Sequence, residues 1–160
     1  MVASEPAVRV LRPRKLETRR RKVKGRLTSG TFFMIPTVVL DSPAFKSLSY
    51  KSCRLLLDMG AQFRGYNNGD MAATFNMMRK RNWTSKETLA AAIAELLDRG
   101  LIEKTRQGYL GRCSLYAFTW MGIGECKGKL DVRANPVPSS LWRTYQNAMP
   151  TPTIGARSHR

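Results

Sequence analysis

The stretch TSKETLAAAIAELLDRGLIEKTRQG, residues 84–108, restricts the fold more than any other part of the chain. Thr84 or Ser85 supplies a hydroxyl to cap a helix, Glu87 or Thr88 sits in its first turn, and Gly100 closes it as the residue past the last turn. Between these stops Leu89, Ile93, Leu96 and Leu97 recur at helical spacing and predict one buried stripe. The period then changes to two. Ile102, Lys104 and Arg106 alternate, Gln107-Gly108 marks a turn region, and Leu115, Ala117, Phe118 and Thr119 return as strand formers. A helix that runs without a linker into a β-hairpin leaves few topologies open.

Upstream, LSYKSCRLLLDMGAQF predicts a first helix over about 49–63, capped by Ser49, with Cys53, Leu56, Leu57, Gly60 and Phe63 as its buried stripe. The sequence RGYNNGD then interrupts the pattern. Asn68 and Gly69 tolerate positive φ, so a sharp corner is expected there, and a second helix is predicted to start at Asp70 as N-cap and run to about 80. Met71, Phe75 and Met78 would share its buried side, and Met71, Met77 and Met78 read as core filling. Only about four residues separate this helix from the third, a helix-turn-helix spacing, with Trp83 anchoring the turn. TFFMIPTVVL, before the first helix, is expected to add an edge strand or a packing arm. Tyr109 and Tyr116 are read as cross-strand packing.

Charge decides the class of partner. The 160 residues hold 28 Lys and Arg against 11 Asp and Glu, a formal charge of +17 and a pI near 10.7, which calls for a polyanion. Ten of these cations lie in residues 1–30, and RPRKLETRRRKVKGR, with Arg19, Arg20, Arg21, Lys22 and Lys24, is expected to be a disordered arm that contacts phosphate without regard to sequence. No apolar run is long enough to span a bilayer, and an apolar signal core is missing from the start of the chain, so the expectation is a cytoplasmic, nucleoid-associated protein and no membrane partner. Cys53, Cys113 and Cys126 lack disulfide or zinc spacing, and the only histidine is His159. No nucleophile has a base beside it, and Gly122 and Gly124 in MGIGECKGK lack the setting of a phosphate loop. The expectation is therefore no enzyme, no metal and no cofactor. Residues 122–160 turn to Gly and Pro and are read as an irregular tail, in which Leu141, Trp142 and Tyr145 would pack back through a short helix near 140–147 or dock on a partner.

The fold class expected is α+β, mainly α: three helices and a hairpin wing over residues 31–121, a winged helix-turn-helix, between a basic arm and a Pro-rich tail. The phrases GYNNGD and WTSKETLAAAIAELLDRGLIEKTRQG, with the strand that follows, resemble the winged helix-turn-helix domains of phage, plasmid and integrated-element proteins linked to replication initiation or gene control, over roughly residues 33–121. The resemblance implies that the third helix lies in the major groove of double-stranded DNA while the wing touches the backbone or the minor groove. Thr84, Ser85, Lys86 and Thr88 would then meet phosphate or base edges, Glu87 would accept from a cytosine amino group, and Ala91 with Ala94 would let the helix approach closely. Arg79, Lys80 and Arg81 would flank the turn, with Arg106, Gln107 and Arg112 on the wing. The outward face of the helix, Glu87, Ala91, Ala94 and Asp98, is small and acidic, which also suits a protein partner, as in a phage-encoded inhibitor that docks on a nucleoprotein complex. That partner would meet this face or the Trp142/Tyr145 tail. An RNA-associated assembly protein is a third reading, and a homodimer joined through SSLWRTYQ stays open.

Overall fold

The structure is a computed structural model that describes residues 31–146; the expected basic arm, with Arg19, Arg20, Arg21, Lys22 and Lys24, and residues 147–160 lie outside the described residues. The described residues form an α+β unit, mainly helical, with five helices and one two-stranded antiparallel sheet. In chain order these are α1 (Thr37–Leu40), α2 (Pro43–Lys46), α3 (Tyr50–Gly60), α4 (Phe75–Arg79), α5 (Lys86–Asp98), β1 (Ile102–Arg106) and β2 (Leu115–Phe118). The stretch TFFMIPTVVL is a packing arm that ends in α1. Phe33 lies against Phe63, Phe118 and Trp120, with its ring 4.7 Å from that of Phe118.

Ser49 caps α3 as expected, its hydroxyl accepting from Ser52 N–H at 3.3 Å. The buried stripe differs from the predicted one. Ser52, Leu55, Leu56, Met59 and Gly60 face the core, whereas Leu57 is 59 % exposed and Cys53 and Phe63 are half-buried. Three consecutive leucines fit either of two helix faces, and packing against α5 selects the face that carries Ser52. The helix also ends at Gly60 rather than near 63. A Cβ at Gly60 would stand 2.4 Å from the Phe33 ring, so only glycine lets the N-terminal arm lie this close.

The corner at 64–70 departs from expectation in a more informative way. Gly69 has φ +115, but Asn68 is not among the left-handed residues; it is 3 % exposed and spends its whole amide on the distant strand. Its Nδ2 donates to the carbonyls of Phe118, Met121 and Gly122 at 3.0, 2.9 and 3.0 Å, and its Oδ1 accepts from Phe118 N–H at 2.8 Å. Asp70 does not cap a helix. Met71 instead exchanges two backbone hydrogen bonds with Tyr116, so residues after the corner run extended beside β2, and α4 starts only after Thr74. A strand partner for Met71 outweighs the local helix signal. Met71 and Met78 fill the core as expected, while Met77 is exposed.

At its far end α5 closes as the sequence predicts. Gly100 has φ +66, its N–H donates to Leu97 C=O and that of Leu101 to Leu96 C=O, the two bonds of a Schellman cap. The chain enters β1 directly. Ile102 pairs with Phe118 and Lys104 with Tyr116, and a bulge before Arg106 leaves Thr105 to turn inward, where its hydroxyl donates to Gly69 C=O at 2.6 Å. Residues 122–146 pack onto the same core: Ile123 bridges Asn135, Asp131 N–H donates to Thr105 C=O, and Trp142 is 6 % exposed in a single 3-10 turn, Leu141–Arg143.

Candidate nucleic-acid interface

The turn between α4 and α5 is held by one carboxylate. Asn82 takes a left-handed φ of 64° and Trp83 folds inward, donating its indole N–H to Asp58 Oδ2 at 2.8 Å. The same carboxylate pairs with Arg81 at 3.3 Å and with Arg54 at 3.6 Å, and Arg54 also donates to Arg81 C=O at 2.6 Å. Trp83 therefore anchors the turn, as the sequence suggests. Arg81, expected to flank the turn as a nucleic-acid-binding cation, is engaged in that anchor.

Ser85, not Thr84, caps α5, its hydroxyl oxygen accepting from Thr88 N–H at 3.0 Å. The Ser85 hydroxyl in turn donates to Glu87 at 2.8 Å, and hydrogen bonds from the Glu87 backbone N–H and from Ser85 hold this carboxyl below its ordinary range. Ser85 and Glu87 thus satisfy each other at the helix start. Thr84, Lys86, Glu87 and Ala91 are exposed, and Thr88 is half-buried.

The rotation of α5 about its axis is fixed from the opposite side by Glu95, to which the sequence reading assigned no role. Its carboxylate accepts from Ser49 N–H at 2.9 Å and from the hydroxyls of Ser49 and Ser52 at 2.7 and 2.5 Å. Burial pushes the Glu95 carboxyl up, but the bonds from Ser52 and Ser49 and the charge of Arg99 outweigh it, and the net shift is downward. With Leu89, Ala92 and Leu96 buried and Glu95 tied to the cap of α3, Ala90, Ala91, Ala94 and Asp98 face solvent. Together with exposed Glu87, this is the small, acidic outward face expected from the helical spacing, extended by Ala90.

The hairpin uses its cations differently from expectation. Arg106 folds back along the sheet and donates from Nε and Nη2 to Cys113 C=O at 3.1 and 3.0 Å, and from Nη1 to Lys129 C=O at 3.3 Å. Those bonds tie the strands together, so Arg106 is a brace rather than a free contact. Gln107 is exposed but occupied, with its N–H on Asp131 and its side-chain oxygen on Lys104. Arg112 lies over the Tyr109 ring and reaches Lys129 C=O at 3.2 Å, and among the described residues no carboxylate is in ion-pair distance of it. Tyr116 packs in the core as expected, but Tyr109 is 66 % exposed.

Of the residues singled out in the sequence, the structure leaves Arg79, Lys80, Thr84, Lys86 and Ala91 exposed around α4 and α5, and Arg79, Lys80 and Lys86 have no carboxylate partner among the described residues. Lys86 lies 5.7 Å from the Phe75 ring, which carries its stem toward α4. Of the two alternatives for the tail, packing back or docking on a partner, the described residues show the first: Trp142 enters the chain's own core and Tyr145 packs against that core, with its ring under the Arg99 guanidinium and its hydroxyl accepting from Arg99. All three cysteines are free, and burial raises the thiols of Cys53 and Cys126 away from the reactive thiolate. Among the described residues no group of acids, cysteines and histidines is arranged to hold a metal, and no helix is long and apolar enough to cross a membrane. The chain matches no protein-family model, no curated protein and no solved structure.

Proposed function

We propose that this protein binds double-stranded DNA as a winged helix-turn-helix, with α5 presented to the major groove and the β1–β2 hairpin as the wing. The observation that carries the reading is the solvent side of α5: exposed Ala90, Ala91 and Ala94, with Glu87 and Asp98 toward its two ends, and the exposed cations Arg79, Lys80 and Lys86, none of which has a carboxylate in ion-pair distance among the described residues. Small side chains let a helix backbone approach base edges, and unpaired cations at its start meet the phosphates on either side. The order of elements supports the same reading, since α3, the extended Met71 segment, α4, α5 and the hairpin follow one another and Met71 pairs with β2. The excess of positive charge over the whole chain supplies sequence-independent affinity. A role as a replication-accessory or transcription-regulatory factor of a mobile element rests on the resemblance of the sequence alone.

The test is titration of the full chain against random duplexes and against duplexes selected from a random pool, at several salt concentrations. Neutralising about eight phosphates gives a logarithmic salt slope of roughly −7, with selected sequences bound more tightly than random ones. A flat salt response refutes the reading. Equal affinity for all sequences, or preference for folded RNA, moves the function to a docking or RNA-associated role.

A further inference from the structure

The tip of the hairpin carries an apolar side chain where the fold gives it nothing to touch. Leu110 is 99 % exposed, next to Tyr109 at 66 %. The turn beneath them is not loose. Tyr109 and Arg112 exchange two backbone hydrogen bonds, each 2.9 Å, and Gly111 takes the φ of +81 that closes so tight a turn. Below this, Gly108 N–H donates to the Ser114 hydroxyl at 3.0 Å and Arg106 clasps Cys113 C=O from the other strand. Leu110 therefore stands on a braced projection, and its turn position has no steric need for leucine.

The setting of the tip carries more base than acid. Among the described residues Lys104 and Arg112 have no carboxylate in ion-pair distance, Arg106 is spent bracing the strands, Glu103 accepts from the Ser139 hydroxyl, and Asp131 accepts the Gln107 N–H while its charge acts on Arg112 from a distance. Arg112 lies over the Tyr109 ring, so guanidinium and aromatic present one stacked edge behind the leucine. An apolar point with cations on its shoulders matches one chemistry closely: a duplex whose phosphates bind the shoulders while the point enters between base pairs from the minor groove.

We infer that the hairpin tip is a minor-groove wedge, in which Leu110 partly unstacks a flexible base step and Tyr109 and Arg112 flank the opening. This rests on the proposed DNA binding and deepens it. The wedge favours pyrimidine–purine steps, which unstack most readily, so it adds sequence preference at a position where α5 makes no base contact.

The experiment uses the full chain and duplexes with 2-aminopurine at a central TA step, whose emission rises when the base unstacks; anisotropy of the same duplexes reports binding. The expected result is a rise in emission on binding, lost in Leu110→Ala with about tenfold weaker affinity from the lost apolar burial, retained in Leu110→Met, and an unchanged salt slope throughout. Binding by anisotropy with no rise in emission, or a Leu110→Ala protein that equals the parent, overturns the wedge and leaves DNA binding standing. No binding by anisotropy overturns the proposed function and the wedge together. Binding of anionic phosphatidylserine vesicles that Leu110→Ala abolishes, with duplex binding unaffected, places the tip on a lipid surface and overturns the wedge.

Discussion

Replacing Asn68 with Ala removes the one side chain that ties the 64–70 corner to the end of β2. The amide carries two protons and meets three carbonyls, so its donors amount to two full hydrogen bonds, and Oδ1 supplies a third to the buried Phe118 N–H. At about 0.5–1.5 kcal/mol for each bond, with buried groups left unpaired, the expected loss is roughly 2–4 kcal/mol. Asn68→Asp tests the logic more sharply. It keeps an acceptor for Phe118 N–H but sets an anion against the carbonyls of Phe118, Met121 and Gly122, so it should cost more than the alanine despite its nearly identical shape. Urea unfolding followed by tryptophan fluorescence measures both, with an unchanged m-value showing that the same surface unfolds. A loss below about 1 kcal/mol for Asn68→Ala, or an Asp variant more stable than the Ala one, refutes the argument that this amide is the tie.

Glu95 predicts a pH response. Its carboxyl is lower in the folded protein than in the unfolded chain, so its contribution is fully present above the unfolded value, about 4.3, and is lost as pH falls through the lower folded value. Glu95→Gln should therefore lower stability at neutral pH and flatten the acid limb of the stability curve; an unaltered acid limb contradicts the assignment. Gly100→Ala places a Cβ 2.7 Å from the carbonyl carbon of Leu141 at a φ of +66. It should cost more than the roughly 1–2 kcal/mol of left-handed strain alone and shift Trp142 emission to the red as the 141–143 turn loosens. Arg79→Ala with Lys80→Ala should reduce the salt slope of duplex binding by about two while leaving thermal stability unchanged; an unchanged slope places these cations off the DNA.

What the sequence reveals of this fold is what local chemistry dictates. The cap at one of the two hydroxyls Thr84 and Ser85, the Schellman stop at Gly100 and the start of a strand at Ile102 each depend on a few neighbouring residues and lie where the pattern places them, although the bulge before Arg106 breaks the expected alternation and buries Thr105. The misreadings share one cause, a partner far away in the chain. Asn68 is a frequent turn residue, and nothing within the corner reveals that its amide serves residues 118–122. Asp70 looks like an N-cap until Met71 finds Tyr116, and the run Leu55-Leu56-Leu57 does not set its own phase. At the candidate interface the exposed alanines of α5 follow from helical spacing. The commitments of Arg81 to Asp58 and of Arg106 to Cys113 C=O require the tertiary structure, because an arginine on a turn or wing reads the same whether it faces phosphate or a backbone carbonyl. Glu95 carries no signal of its own in the sequence, although its bonds to Ser49 and Ser52 set which face of α5 looks outward.

The most direct measurement is duplex selectivity of Ala91→Glu. Ala91 is exposed near the middle of α5, and glutamate is a good helix former, so the fold should be retained. If α5 enters the major groove, the added length and charge should erase the preference for selected over random duplexes while weak, salt-sensitive binding persists. An Ala91→Glu protein that keeps the selectivity of the parent would show that α5 is not the reading helix.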